Sequence, residues 1–250
     1  MGRRLILGPR HASRLARVAA ANVLVAFDFD GTLAPIVPEP ADARMRPATR
    51  RLLAAVARRY PCAVLSGRPL DDLARRLRGV PLSHLAGDHG SERPGTSRTT
   101  SPHVERWVAR LRGRLPAMSG LIIEPKRYSV TVHYRRVRDR ARALAAVEAA
   151  VRDLPDARVI RGALAINLLH SAGPHKGSAL QQARRALACE TALYVGDDDT
   201  DEDAFRSAAP DGLLSIRVGT QGASAAQYRL RSQADVDRLL TALVRLRSRT

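Results

Sequence analysis

Lysine is nearly absent from this chain. Of 42 basic residues only Lys126 and Lys176 are lysines, and the others are all arginine. Cysteine is as scarce: Cys62 and Cys189 stand alone, each in or beside an apolar segment. Two thiols so placed suit a reducing compartment and argue against a disulfide scaffold. Aromatic residues make up 4% of the chain, too few to interleave with basic side chains as base-stacking platforms. No apolar run reaches membrane-spanning length. The stretch Val18 to Phe27 runs into Asp28 without a cleavage site, so no signal peptide is expected. These absences predict a cytoplasmic protein with no membrane partner. A G-x-x-x-x-G-K-[ST] loop is also missing, which removes an ATP-driven P-loop reading.

What abounds is arginine. The formal net charge is +18 over 250 residues, a balance that first suggests a nucleic-acid partner. The arginines are scattered through helical segments, not gathered on one arm. A non-enzymatic nucleic-acid-binding protein is therefore the rival reading from another class, and no such partner is expected. Hydrophobic residues at 45% are enough for a core, in one domain or a core domain with an insert.

Patterning supports the second organisation. A short Arg-rich helix is expected over 9–20 and a buried strand over Val23–Phe27. Pro35, Pro38, Pro40 and Pro47 make an irregular segment that leads into a helix to about Arg59, with Leu52, Leu53, Val56 and Ala57 at helical spacing. Strand Cys62–Leu65, helix Asp71–Leu77 and strand His84–Ala86 continue a parallel-sheet pattern. Residues 93–101 read as a linker. A helix around Trp107, strands Leu121–Ile123 and Ser129–Tyr134, a helix from about Arg138 to Val151, and strands Arg158–Arg161 and Leu164–Leu169 follow. That order, helix–strand–strand twice over, predicts an inserted α+β module. Helix Lys176–Leu187, strand Leu193–Val195, a helix over about Thr200–Ala208, a last core strand Leu214–Val218 and a tail helix Ala234–Leu246 complete the pattern.

Chemistry concentrates at strand ends. Asp28-Phe29-Asp30-Gly31-Thr32-Leu33 begins where the first apolar strand stops. Alternate residues of an extended segment point the same way, so Asp28 and Asp30 converge while Phe29 turns inward. Carboxylates this close repel unless a cation lies between them, and hard oxygen ligands suit Mg²⁺. Gly31 permits a tight turn, and the Thr32 hydroxyl can bond an anion or the backbone. A second acidic cluster, Asp197-Asp198-Asp199-Thr200-Asp201, again follows an apolar strand. Taken alone, a D-x-D is more simply a solvated strand end; two such acidic clusters in a chain of +18 are not. Parallel sheets place functional loops at the carboxyl ends of their strands, where Ser66 and Lys176 also fall. Nucleophilic carboxylate, acid/base carboxylate, hydroxyl, ammonium and metal-binding acid together suit phosphoryl transfer through an aspartyl phosphate.

With these residues in place, the sequence resembles the haloacid-dehalogenase-like hydrolases over nearly its whole length, through AFDFDGTL, Ser66, Lys176 and GDDDTDEDAF. It resembles the trehalose-6-phosphate phosphatases more narrowly, through DGTLAPI, SGR (Ser66 to Arg68), His89-Gly-x-Glu92, Glu124-x-Lys126-x-x-Ser129 and His133-Tyr-Arg135. The resemblance implies an α/β fold with a Rossmann-like parallel-sheet core, residues 1–95 and 171–250, and an inserted α+β cap, residues 96–170. It makes Asp28 the nucleophile and Asp30 the general acid/base, with Ser66 and Lys176 holding the phosphoryl group. Mg²⁺ is expected on the Asp28 carboxylate, the Asp30 backbone carbonyl and Asp197, with Asp201 as a further ligand or orienting group and Asp198 able to share that role.

Gly31, Thr32, Gly67 and Arg68 are expected to line the substrate site, and a monomer is expected. Glu92 and Glu124 can accept from sugar hydroxyls, Lys126 and Arg135 can donate, and His89 can do either. Glu124 or Arg135 taken singly also reads as a solvated surface group, and His133 as merely half-buried. A lysine retained at 126 in an arginine chain points to a compact donor. Three positions depart from the family pattern: Asn167 and Leu169 stand where the branch has glutamate and arginine, and His175 precedes Lys176 in place of an aspartate. These departures leave open a phosphatase of another sugar phosphate. A catalytically dead sensor is a third reading, disfavoured because Asp28, Asp30 and Lys176 are all retained.

Overall fold

A computed structural model describes residues 4–37, 39–162, 164–220 and 222–248; Pro38 of the expected irregular segment lies outside them. The chain runs α1 (Ala12–Ala20), β1 (Val23–Phe27), α2 (Pro47–Ala57), β2 (Cys62–Leu65), α3 (Leu70–Arg76) and β3 (His84–Ala86). It then forms α4 (Pro102–Arg114), β4 (Ile122–Pro125), β5 (Ser129–His133), α5 (Arg140–Val151), β6 (Ala157–Gly162) and β7 (Ala165–His170). It returns through α6 (Lys176–Ala186), β8 (Thr191–Gly196), α7 (Glu202–Phe205), β9 (Leu213–Val218), β10 (Tyr228–Leu230) and α8 (Ala234–Arg247). Among the described residues no helix is long and apolar enough to cross a membrane.

Six parallel strands form the larger sheet in the order β10-β9-β8-β1-β2-β3. β1 is buried along its whole length, as a strand covered on both faces must be. Val23, Val25 and Phe27 pack with α1, α2 and α8, whereas Leu24 and Ala26 pack with α6 and α7. The chain order reverses at β1, which lies between β8 and β2, so the crevice at their carboxyl ends is a switch point. Pairing of Phe27 with Val195 brings the two acidic clusters side by side across that crevice.

The smaller sheet is antiparallel, in the order β4-β5-β7-β6. Val130, Val132, Ile166 and Leu168 face α4 and α5 around the buried Trp107. The alternating residues face the other way. Register places Glu124 opposite Thr131 and Thr131 opposite Asn167, giving one polar row across the sheet.

Some expectations shift. The helix expected over 200–208 is a single 3-10 turn, Asp199–Asp201, and the short α7, because the acidic side chains bond backbone amides of their own turn. β4 starts one residue later than expected and runs to Pro125. β9 is not the last core strand: β10 extends the sheet, three residues too short for periodicity to reveal.

Candidate active site

β1 delivers Asp28 to the switch point, where its amide donates to the Val195 carbonyl at 2.8 Å. The chain then turns tightly: the Leu33 and Ala34 amides both donate to the Phe29 carbonyl, and Gly31 takes φ +83°. A Cβ on Gly31 would stand 2.0 Å from Asp197 Oδ2, so the turn and the second acidic loop meet only because this position lacks a side chain. Thr32 Oγ1 donates to Asp197 Oδ1 at 3.1 Å across the same contact.

Lys176 opens α6 and is buried. Its Nζ donates to Asp28 Oδ1 and to Asp201 Oδ1, each at 2.7 Å. Asp201 also accepts from the Tyr194 hydroxyl at 2.6 Å and from the amides of Asp197 and Asp198. Four hydrogen bonds saturate its carboxylate, so Asp201 orders the loop and orients Lys176. Tyr194 was invisible as a site residue; its one trace in the sequence is a hydroxyl inside an otherwise apolar strand.

One ammonium does not neutralise this cluster. Burial pushes the Asp28 carboxyl well above the usual range; Lys176 opposes that, and Asp201 and Asp197 add repulsion. Burial, then Asp201 and Asp198, raise Asp197 in the same way. Burial alone would lower Lys176, yet Asp201 and Asp28 hold it protonated far above its ordinary value. One oxygen each from Asp28, Asp197 and Asp201 lie within 4.8 Å of one another. Hard oxygen donors and excess negative charge fit a small divalent cation such as Mg²⁺.

Ser66 directly follows β2, buried, with its hydroxyl accepting from the Arg68 amide at 3.2 Å. Arg68 then forks onto Asp30, Nε to Oδ2 at 2.7 Å and Nη2 to Oδ1 at 2.6 Å, and reaches Asp72 at 3.0 Å. His89 packs its ring on Gly67, where a Cβ would lie 2.5 Å from the imidazole. Both ring nitrogens of His89 are buried without a hydrogen-bond partner. Burial, with Lys126 and Lys176 nearby, drives its pKa well below the ordinary value, so the ring is neutral.

These groups floor a cavity of about 430 Å³. Its roof comes from the small sheet: Glu124, Lys126, His133, Arg135 and Asn167 all line it. Glu124 pairs with His133 at 2.6 Å. Although burial would raise the Glu124 carboxyl, the bond to His133 and the nearby Lys126 hold it below the usual carboxylate range. Arg135 donates to the Val37 carbonyl, and Asn167 Oδ1 accepts from Thr131 Oγ1 at 3.0 Å. Pro40, Ala41 and Ala43 also border the cavity, a contribution that the proline-rich sequence did not disclose.

Gly31, Thr32 and Asp201 lie behind the lining. Glu92 does not reach the cavity either. It is fully buried, with Oε2 accepting from the Leu70 amide at 2.6 Å and Oε1 3.4 Å from Arg127. Expected as a sugar-hydroxyl acceptor, it is engaged with the backbone and a cap arginine, because the turn after β3 points it away from the crevice.

Residues 26–234 match the family described as "Trehalose-phosphatase". A trehalose-phosphate phosphatase of Mycobacterium marinum is 35% identical over 261 aligned positions, covering 93% of this chain and 67% of that protein. The chain thus spans about two-thirds of that relative's length. The trehalose-6-phosphate phosphatase C-terminal domain of C. albicans superposes with a TM-score of 0.77 at 21% identity, covering 93% of this chain and 96% of that one. A sugar phosphatase of HAD subclass IIB shares the fold with a TM-score of 0.62 at 15% identity, covering 85% and 95%. From its parallel-sheet core and inserted antiparallel sheet to the match across both acidic clusters, the chain belongs to the trehalose-phosphatase family.

Proposed function

We propose that this chain is a Mg²⁺-dependent phosphatase that hydrolyses trehalose 6-phosphate to trehalose and phosphate through an aspartyl phosphate. The observation that carries the reading is Lys176 bridging Asp28 and Asp201 beneath a cavity roofed by Glu124, Lys126 and Asn167. Asp28 is the nucleophile: its carboxylate attacks phosphorus, an Asp28 O–P bond forms and the bond to the sugar oxygen breaks. Asp30 gives that oxygen its proton, then takes one from the water that cleaves the aspartyl phosphate. Arg68 occupies both Asp30 oxygens, so proton transfer requires this fork to open at one of them. Ser66 and Lys176 hold the phosphoryl oxygens. Asp28, Asp197 and the Asp30 carbonyl would hold Mg²⁺, which would supply charge neutralisation at the transferring group.

Glu124, Lys126, Arg135 and Asn167 offer sugar hydroxyls both acceptors and donors, and the neutral His89 offers one of each. Two hydrophobic clusters without a shared member support a division into a core, 1–95 and 171–250, and a cap, 96–170. A cytoplasmic monomer without a nucleic-acid or membrane partner completes the reading.

Phosphate release from a panel of sugar phosphates, with and without Mg²⁺, tests it. Trehalose 6-phosphate should be preferred, turnover should need Mg²⁺, and Asp28→Asn should abolish it. Equal rates on glucose 6-phosphate would remove the disaccharide assignment; activity in Asp28→Asn would remove the nucleophile. Asn167 in place of the family glutamate favours a second reading, another sugar phosphate, and the same panel decides between them.

A further inference from the structure

Asp88 is buried and plays no part in the chemistry above. It sits just past β3 in a segment whose backbone is left-handed at three successive residues, with φ of +45° at Asp88, +57° at His89 and +105° at Gly90. Such a conformation in two non-glycine residues persists only where surrounding contacts enforce it. The contacts are specific. The Asp88 amide donates to the Arg68 carbonyl at 2.7 Å and the His89 amide to the Ser66 carbonyl at 2.9 Å, so this segment also braces the Ser66–Arg68 turn.

The Asp88 carboxylate points the other way, into the cap. Oδ2 accepts from the Tyr128 amide at 2.8 Å, and Oδ1 accepts from the Ser129 hydroxyl. Those residues close the turn between β4 and β5, where the Lys126 amide donates to the Ser129 carbonyl at 2.9 Å. Arg127 of the same turn is held by Asp71 at 2.9 Å and faces Glu92 at 3.4 Å. Three core carboxylates thus grip a four-residue turn of the cap. From that turn Lys126 reaches back over the core and donates to the Gly67 carbonyl at 2.8 Å, beside Ser66.

We propose that Asp88 is a positioning residue: it fastens the cap turn to the core so that the Lys126 ammonium stands over the phosphate end of the cavity. Asp71 and Glu92 complete the grip through Arg127. The grip gives Glu92 a role without substrate contact. This inference rests on the reading of Lys126 as a substrate-binding group.

A double-mutant cycle on kcat/KM for trehalose 6-phosphate with saturating Mg²⁺ tests it. Lys126→Ala should lose about tenfold or more, the worth of one charged hydrogen bond. Asp88→Asn should lose a comparable factor, mainly through KM. If Asp88 acts through Lys126, the double variant falls no further than Lys126→Ala alone, within about twofold. Ser129→Ala, which removes one bond and leaves the carboxylate, should give a smaller loss that also vanishes in the Lys126→Ala background. It carries the cycle if Asp88→Asn does not fold. Penalties that multiply would overturn the positioning role while leaving Lys126 a substrate ligand. A neutral Lys126→Ala would instead overturn the reading of Lys126, and the inference with it.

Discussion

Replacing Lys176 with methionine keeps the length and girth of the side chain and deletes one buried charge. The ammonium lies 2.7 Å from an oxygen of Asp28 and 2.7 Å from one of Asp201. At an effective dielectric near 20, each contact represents about 6 kcal/mol of attraction, most of it offset by the cost of burying the charges. Removing one partner from such a cluster strands the others, at a net cost of about 3–5 kcal/mol. In a chain of this size that corresponds to a fall in Tm of roughly 6–20 °C.

The cost depends on pH, and the sign follows from the direction of the shifts. Asp28 and Asp197 already have folded pKa values raised above their unfolded ones, so the folded state binds protons more readily than the unfolded chain. Without Lys176 they rise further. Protonation then relieves the repulsion, and stability is regained as pH falls through the raised folded values, by about 1.4 kcal/mol per pH unit for each proton taken up. Urea unfolding of wild type and Lys176→Met in EDTA, from pH 8 to pH 5, reads the difference. The deficit should be largest at pH 8 and shrink toward pH 5, and in a separate assay with Mg²⁺ Lys176→Met should show no turnover. A deficit independent of pH would show that the carboxylates are not what Lys176 neutralises.

Gly31→Ala should cost about 1–3 kcal/mol, because φ is +83° and the new Cβ meets the Asp197 carboxylate; the same variant should weaken Mg²⁺ dependence, read by thermal unfolding and by titration with the metal. His89 is held neutral in the fold while the unfolded chain takes up a proton near pH 6.5. Its stabilisation is therefore present above that pH and is lost as pH falls below it. His89→Asn should flatten the acid limb of a urea-stability profile, and an unchanged slope would mean the ring already titrates normally. Burial pushes the Cys62 thiol up to about 12, so native protein should not react there with thiol reagents at pH 8, whereas denatured protein should. Labelling of the native chain followed by peptide mapping checks this.

Much of the fold was legible because its determinants are local. β1 and β2 announce themselves as short apolar runs that stop at Asp28 and Ser66, and a strand buried on both faces has no other way to read. β5 showed its alternation because one of its faces packs on Trp107 and the other faces the cavity. β10 was not legible: three residues on a sheet edge carry no period, and what places them is pairing with β9. The arginine excess also resolves only in three dimensions. Arg14, Arg50, Arg76 and Arg247 donate to carbonyls of distant loops and helix ends, tying the chain to itself.

For the site, the sequence alone pointed to the groups proposed to react: Asp28, Asp30, Ser66, Lys176 and Asp197 are tied to strand and helix ends, and the sheet topology brings those ends together. Only the tertiary structure decided how the groups are held. It set Arg68 on Asp30, Tyr194 beneath Asp201, and Asp88 on the turn that carries Lys126. It also turned Glu92 away from the cavity and into the junction between core and cap. A motif names residues by spacing along the chain. The direction of a side chain depends on backbone angles and packing partners far away in sequence, and only the folded chain supplies those.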